Sequence, residues 1–499
     1  MNIHKLGLLC LSLSLFCVEG LSAQTRIKNN LSHPEDSSPF TSDQQPQPKS
    51  RAAQQADGTI VVGGGIAGLA TAVALRTIAG VQNVRIWEQS PQSDFTNSRS
   101  GAAAQLGPNG LKALKLLSSE QTVQELRDLG SELEGNAIMM RNKENTPEVL
   151  QIPDTTMQET GYPQVLVRWG ILRSILADLL PSDMISNEMG GNISGYTRAT
   201  STEEDSSILV QPVDPSGQFI TDSNTNSSIP LLVGADGAHS SIRALVKKSQ
   251  RQQQECALNN NESNEIFVTE EDLPMAKRAN MKYGGRVNIK AAVEHTLPAE
   301  FHQGHTYAYF APGGGVACFA GPAGKGFTYW AISIADTVDP VTGETKSFLD
   351  ESNTNDPEVI HQQLLEQLNS LEAPEIDFLL ELIRKTDPSF ILVQPSEEAQ
   401  GLEDSLHSPD HRLVLVGDAA HAMSPAYGQA SNFALEDAVT LAVCIRDHDS
   451  LDEAIERYSQ LRVERCLEMQ RKSAERSAKA MKGEATEDVS KWIFEWNIQ

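Results

Sequence analysis

Three clusters of residues in this chain have the types and spacing to hold a phosphorylated ligand. Gly63, Gly65 and Gly68 fit G-x-G-x-x-G. The first glycine allows a tight turn, the second lets backbone approach a pyrophosphate, and the third lets a helix pack on the preceding strand. Glu88 follows Gly68 by twenty positions, where a carboxylate accepts hydrogen bonds from both ribose hydroxyls of an adenosine and so favours FAD or NAD over a 2′-phosphorylated nucleotide. The second cluster is Gly234, Asp236 and Gly237; the third runs from Gly417 and Asp418 through Pro425 to Gly428, Gln429, Ala430, Ser431 and Asn432. Arg168 stands in an apolar run, either as an exposed cap or with its guanidinium turned to phosphate and ribityl oxygens.

Each cluster needs an element to deliver it. Short apolar, β-branched runs precede all three, Thr59–Val62, Leu231–Val233 and Leu413–Val416, as expected of parallel strands buried on both faces, and ligands sit at the carboxyl ends of such strands. Small and apolar residues from Ala67 to Ile78 read as a buried helix, and Val84–Trp87 as the strand ending at Glu88. Asp236-Gly237 also fits an ordinary turn, and His421 is better read as a structural histidine than a catalytic one. Helix N-termini after Gly65 and Gly428 point free N–H groups at whatever the glycines admit.

The rest of the chain surrounds these elements. Segment 100–117 reads as a glycine turn and an amphipathic helix, Val165–Leu180 as a strand turning into a helix, and 185–230 as polar hairpins. Lys247 to about Asn280 is Gln-, Asn- and Glu-rich and reads as a surface insertion; Met281–Asp336 alternates in hairpins and suits a second, antiparallel sheet; Pro357–Lys385 suits two helices with Ile360, Leu364, Leu365 and Leu368 on one face. The arginines of 447–482, Arg457, Arg462, Arg465, Arg471 and Arg476, are most simply a solvated face laced with glutamates. Trp492, Phe494 and Trp496 in the tail are expected to dock on the protein's own surface rather than on a membrane.

Composition narrows the class without naming a reaction. With 40 Lys and Arg against 66 Asp and Glu, the net charge is −26, which argues against a nucleic-acid partner. Residues 1–23 carry a basic start, an apolar run and small residues, the pattern of a cleavable secretory signal that leaves no stable membrane span, with an uncleaved anchor as the alternative. That pattern implies entry to the endomembrane system, hence secretion or, where plastids are reached by that route, a plastid. Residues 24–57 are Ser-, Pro- and Gln-rich and read as a disordered leader. Cys10 and Cys17 fall in the signal, while Cys256, Cys318, Cys444 and Cys466 are too scattered for a disulfide framework or a zinc site. Sequons at Asn30, Asn192, Asn226 and Asn261 are permissive for glycosylation.

In this order and spacing the clusters resemble the FAD-dependent monooxygenases of the para-hydroxybenzoate hydroxylase type, over about Asp57 to Arg476. The phrase SGAAAQLGPNGLKAL and the region Phe310–Trp330 look nearer to the zeaxanthin epoxidase branch. The resemblance implies an α/β fold: an FAD-binding Rossmann-like domain of glutathione-reductase type (58–246 and 401–445), an inserted mixed-sheet substrate domain (within 247–400), and C-terminal helices with a tail (446–499). It implies that Gly63, Gly65 and Gly68 hold the FAD pyrophosphate, Glu88 the ribose, Arg168 the phosphate and ribityl portion, Asp236 and Gly237 both FAD and NAD(P)H, and Asp418 the ribityl chain. Pro425 and Gly428, Gln429, Ala430, Ser431 and Asn432 would lie along the flavin ring, with Ala430 standing where the family has glycine. The implied reaction uses NAD(P)H and O2 to hydroxylate or epoxidise a small aromatic or terpenoid substrate through a flavin hydroperoxide, with a partner reductase as another electron source. No catalytic side chain is singled out; Tyr283, Tyr309 and Trp330 are pocket candidates for which core packing is the better reading. A flavin oxidase or dehydrogenase, and an FAD-binding protein without catalysis, are the alternatives.

Overall fold

The computed structural model of the protein describes residues 50–95, 101–141, 146–187, 192–198, 207–213, 228–259, 265–267, 273–338, 343–349, 356–400, 402, 404–482 and 487–498. The signal reading and the sequons at Asn30, Asn226 and Asn261 lie outside the described residues. The first half runs α1 (Arg51–Gln55), β1 (Thr59–Val62), α2 (Ile66–Thr77), β2 (Val84–Glu88), β3 (Ala103–Leu106), α3 (Pro108–Leu117), β4 (Gly135–Arg141), β5 (Pro147–Pro153), β6 (Val165–Arg168), α4 (Trp169–Asp178), β7 (Ile185–Asn187), β8 (Leu232–Gly234) and α5 (Ser241–Asn259). The second half adds β9 (Met281–Val293), β10 (His305–Phe310), β11 (Val316–Pro322), β12 (Thr328–Ala335), α6 (Pro357–Asn369), α7 (Asp377–Lys385), β13 (Leu392–Ala399), β14 (Leu413–Leu415), α8 (Ala430–Asp447) and α9 (Leu451–Lys482).

Two sheets carry the molecule. The first is parallel, in the order β14-β8-β1-β2-β7. Its register aligns Val62 with Gly234 and Trp87, and Gly234 with Leu415, so the three clusters and Glu88 leave the sheet at one edge, where the strand order reverses direction. The second has seven strands, β13-β9-β12-β11-β10-β4-β5, antiparallel except for the β10–β4 pair. Period-2 alternation divides its residues between two environments. Val287, Ile289 and Ala291 of β9 and Trp330, Ile332 and Ile334 of β12 pack with α6 and α7 into one core. The alternate residues lie on the other face, where Gly321 packs against Leu166 of β6, a strand paired with β3 in a small separate sheet.

Three expectations require correction. The leader does not extend to residue 57: Ser50 caps α1 through Ala53 N–H and its hydroxyl donates to the Ile445 carbonyl at 2.7 Å, while Ala52, Ala53 and Ala56 are fully buried. Small residues let this helix approach the C-terminal helices closely, which polar composition concealed. Lys247–Asn259 is not an insertion but the continuation of α5, whose glutamines and lysines cover its outward face. The 447–482 arginines are not all solvated: Arg462 is buried, Arg465 nearly so, and Arg476 stacks on Tyr427 at 4.2 Å.

The tail docks as expected. Phe494 sits against Gly107, and its carbonyl accepts from Lys112 Nζ at 2.9 Å. A chain begun at Gly58 should lose about 2 kcal/mol of stability through exposure of the surfaces that the α1 alanines cover. Urea denaturation of proteins starting at Ser50 and at Gly58 checks this.

Candidate flavin site

The first turn is built by exclusion. Gly63 has φ +106, and a Cβ there would collide with the Ala235 carbonyl, while one on Gly68 would collide with the Gly63 carbonyl. Gly65 differs: its backbone has φ −78, and a Cβ would meet no atom within 4 Å. The space beside it is therefore open, and α2 begins there with no side-chain cap, leaving its first N–H groups to a ligand. Glu88, buried at the end of β2, spans this turn, accepting from Gly64 N–H at 2.6 Å through Oε2 and from Ser90 N–H at 2.8 Å through Oε1. Its further lone pairs remain available for hydroxyl donors. Arg173 of α4, which sequence reading passed over, donates from Nε to the Gly64 carbonyl at 3.1 Å.

The second cluster is joined to the third by another unforeseen arginine. Asp236 spends its carboxylate on α5, accepting from Ser241 N–H at 2.7 Å, from Ser241 Oγ at 2.9 Å and from Ser240 Oγ. That is capping of a helix start, and it leaves Gly237, at φ +80 with open space at its Cβ position, as the part of the cluster facing outward. Arg243 of α5 is buried and donates to the carbonyls of Asp418 at 3.2 Å and Ala419 at 3.0 Å.

The third cluster turns on Gly417, φ +58, where a Cβ would lie 2.6 Å from that of Ala67 on α2. This contact sets Asp418 beside the first turn, with its side chain exposed to the cleft. Beyond Pro425 and Gly428 the side chains of Gln429 and Asn432 turn away: Gln429 Oε1 accepts from Asn109 Nδ2 at 3.0 Å, and Asn432 accepts from Gly107 N–H at 2.9 Å and donates to the Gln105 carbonyl at 2.8 Å. They hold the backbone that presents Ala430 and Ser431. The helix α8 starts at Ala430 without a side-chain cap, so a second free N-terminus faces the cleft.

A buried ionic cluster fixes this segment. Glu436 and Asp437 of α8 are fully buried. Arg462 binds Asp437 and Glu436 at 2.6 Å each, Arg465 binds Glu436 at 2.7 Å, and Asp437 Oδ2 accepts from Gly417 N–H at 2.7 Å and His421 Nε2 at 2.6 Å. Burial opposes protonation of His421, yet its contacts with Cys466 and Asp437 outweigh it and hold its pKa well above the usual histidine range. Burial likewise opposes ionisation of Asp437, and His421 with Arg462 outweighs it, so its pKa lies below the usual carboxylate range. His421 is thus structural, as its neighbourhood suggested.

Arg168 ends β6 with its guanidinium 3.9 Å over the Phe327 ring and lines a cavity of about 150 Å³ with Ala102, Ala292, Phe327, Thr386 and Phe390. Of the aromatic candidates, Tyr309 and Trp330 belong to the core, the indole donating to Thr386 Oγ1 at 2.9 Å, and Tyr283 is exposed and bonded to Asp336. The cleft-facing wall is instead made by residues on the other face of β9, β11 and β12, among them Phe319, Tyr329 and Lys290; the Phe319 and Tyr329 rings lie 5.8 Å apart. Burial pushes the Lys290 ammonium below the ordinary lysine range, with Asp418 pulling the other way.

A family model for an FAD binding domain matches residues 385–474, the stretch containing the third cluster. The chain is 26% identical over 408 residues to aurachin C monooxygenase/isomerase of Stigmatella aurantiaca, covering 81% of this chain and 85% of that one. It is 25% identical over 421 residues to 3-amino-4-hydroxybenzoate 2-monooxygenase of Streptomyces cremeus, covering 83% and 85%. The crystal structure of Klebsiella pneumoniae HpxO complexed with FAD and uric acid has the same fold, with a TM-score of 0.60 at 19% identity over 86% of this chain and 90% of that one. Fold and site thus define an FAD-binding oxidoreductase. Its relatives are FAD-dependent monooxygenases, its fold is that of the para-hydroxybenzoate hydroxylase type, and its cofactor is FAD.

Because Gly65 has ordinary backbone angles and empty surroundings, Gly65→Leu should fold with the thermal stability of the flavin-free parent protein yet purify without yellow flavin; a variant that keeps full flavin absorbance would contradict this assignment. Asp437→Ala removes the carboxylate partner of buried His421 and leaves Arg462 to share Glu436 with Arg465, and should cost about 3–5 kcal/mol in denaturant unfolding. The raised pKa of His421 means that its contribution is complete below the unfolded-state histidine value and is lost as pH climbs through the folded-state one. Unfolding free energy should accordingly fall as pH is raised above neutrality, and less steeply in His421→Gln.

Proposed function

We propose that the protein uses NAD(P)H and O2 to hydroxylate a small aromatic substrate held between the flavin and the seven-stranded sheet. The observation that carries this reading is the convergence of all three glycine clusters on a cleft whose opposite wall bears Phe319, Tyr329 and Lys290. Bound FAD supplies the redox chemistry that activates oxygen. Gly65 and the start of α2 hold the pyrophosphate, Glu88 the ribose, and Asp418 the ribityl hydroxyls. The start of α8, from Ala430, would direct its free N–H groups and helix dipole to the flavin ring and favour negative charge there. Phe319 and Tyr329 offer an aromatic substrate a flat apolar wall and exclude water from the reacting face.

Lys290 gives the wall a cationic point, which suits a substrate carrying a carboxylate or an ionised phenol. The name 3-amino-4-hydroxybenzoate 2-monooxygenase describes a relative acting on an aromatic acid, which supports this class over terpenoids. The secretory pattern of residues 1–23 supports entry to the endomembrane system, for secretion or for a plastid reached by that route.

Anaerobic mixing with NADPH or NADH should bleach the bound flavin, faster with the true substrate present, and 18O2 should leave one labelled oxygen in the product. Flavin that is bleached by the organic substrate itself, without NAD(P)H, and that yields hydrogen peroxide with a dehydrogenated product on reoxidation by O2 would make the protein an oxidase instead. Lys290→Met should raise KM for an acidic aromatic substrate at least tenfold, about 1.4 kcal/mol, and change KM little for a neutral analogue.

A further inference from the structure

Away from the flavin cleft, the hairpin leading into β14 and the outer side of α9 bring two histidines and a glutamate together. His407 Nε2 lies 3.1 Å from Glu456 Oε2, and His411 Nε2 lies 3.6 Å from the same oxygen. The three ligand atoms all fall within 4.8 Å of one another. Metal–ligand distances of about 2.0–2.1 Å in a tetrahedral zinc site put neighbouring ligand atoms roughly 3.3 Å apart, so two of the three edges already match coordination length.

Hydrogen bonding fixes what these atoms offer. The Ser408 carbonyl, 2.7 Å from His407 Nδ1, can only accept, so Nδ1 carries a hydrogen and Nε2 directs its lone pair at Glu456 unless a second proton binds there. The other Glu456 oxygen accepts from Gln460 Nε2 at 3.1 Å, an outer contact of the kind that orients a ligating carboxylate. The His411 ring lies over that of His407, centroids 4.5 Å apart. Three ligand atoms thus converge with one carboxylate charge among them, a geometry that a cation between them would satisfy.

We propose that His407, His411 and Glu456 form a divalent transition-metal site, suited to zinc, with solvent completing the shell. Imidazole with carboxylate is a ligand set for zinc, nickel or copper rather than for magnesium or calcium. Bound metal would clip the hairpin to α9 across 45 residues or more of sequence, from His407 or His411 to Glu456, and would stabilise the native state by mass action.

The test uses the FAD-loaded full chain freed of metal, titrated with Zn²⁺ by calorimetry and with Co²⁺ by visible absorption. One Zn²⁺ per chain at micromolar affinity or tighter is expected, with a Co²⁺ ligand-field band and a raised Tm. Glu456→Gln removes a half-exposed carboxylate, and His411→Asn keeps a residue that tolerates the left-handed backbone found there, φ +57. Both variants should fold, retain flavin and bind Zn²⁺ at least tenfold more weakly. Absence of a Co²⁺ band in the parent protein, or Zn²⁺ affinity unchanged in either folded variant, would overturn the proposal.

Discussion

Two fully buried carboxylates, Glu436 and Asp437, are the constraint on which the flavin site rests. Each ion costs several kcal/mol to desolvate, and only close, well-directed cations recover that cost. Arg462, Arg465 and protonated His421 supply them from two other segments. Asp437 also receives the N–H of Gly417, so the same charge that requires the arginines pins the turn from which Asp418 projects. On the other side, Asn109 joins Glu436 and Gln429, carrying the constraint into the backbone that presents Ala430. Geometry at the cofactor therefore depends on residues that never approach it.

Much of this was legible from local patterns. A strand, a glycine turn and a helix perform their task with their own backbone, and the residue types needed for each turn are visible wherever they occur. The placement of β1, β8 and β14 in one parallel sheet followed from three similar strand-to-glycine passages, and period-2 alternation revealed the hairpins of the second sheet. The partners of charged side chains were not legible, because they come from distant segments. Arg243 reaches Asp418 and Ala419 across 175 and 176 positions, and Arg173 reaches Gly64 across 109. Arg462 looks like any other arginine on an amphipathic helix until α8 is laid beside it. Composition misled in the opposite sense at Lys247–Asn259 and Arg51–Gln55, where polar residues line the outward face of helices whose inward faces are small or apolar.

The second sheet separates its duties by face. One set of alternating side chains joins α6 and α7 in an apolar core that includes Trp330 and Ile332, and the other set forms a wall toward the flavin. Substitutions on the wall can change without disturbing the core, since neighbouring residues in a strand point to opposite sides. Such a division lets one scaffold accept different substrates. Lys290 and Tyr329 mark the wall of this particular chain.

The order of strands in the parallel sheet has a consequence for how the protein is made. The strand bearing the first glycine turn is neighboured by β8, and β8 in turn by β14, more than 300 residues after β1 in the chain. The ionic cluster that fixes the third turn is completed only by Arg465. During synthesis the amino-terminal half therefore leaves the ribosome with an open sheet edge along β8 and an unfinished cofactor cradle. Non-local pairing of this kind is slow and exposes sticky edges while it waits. The cradle for the cofactor is thus complete only once the carboxyl-terminal segment has been made and β14 has paired with β8.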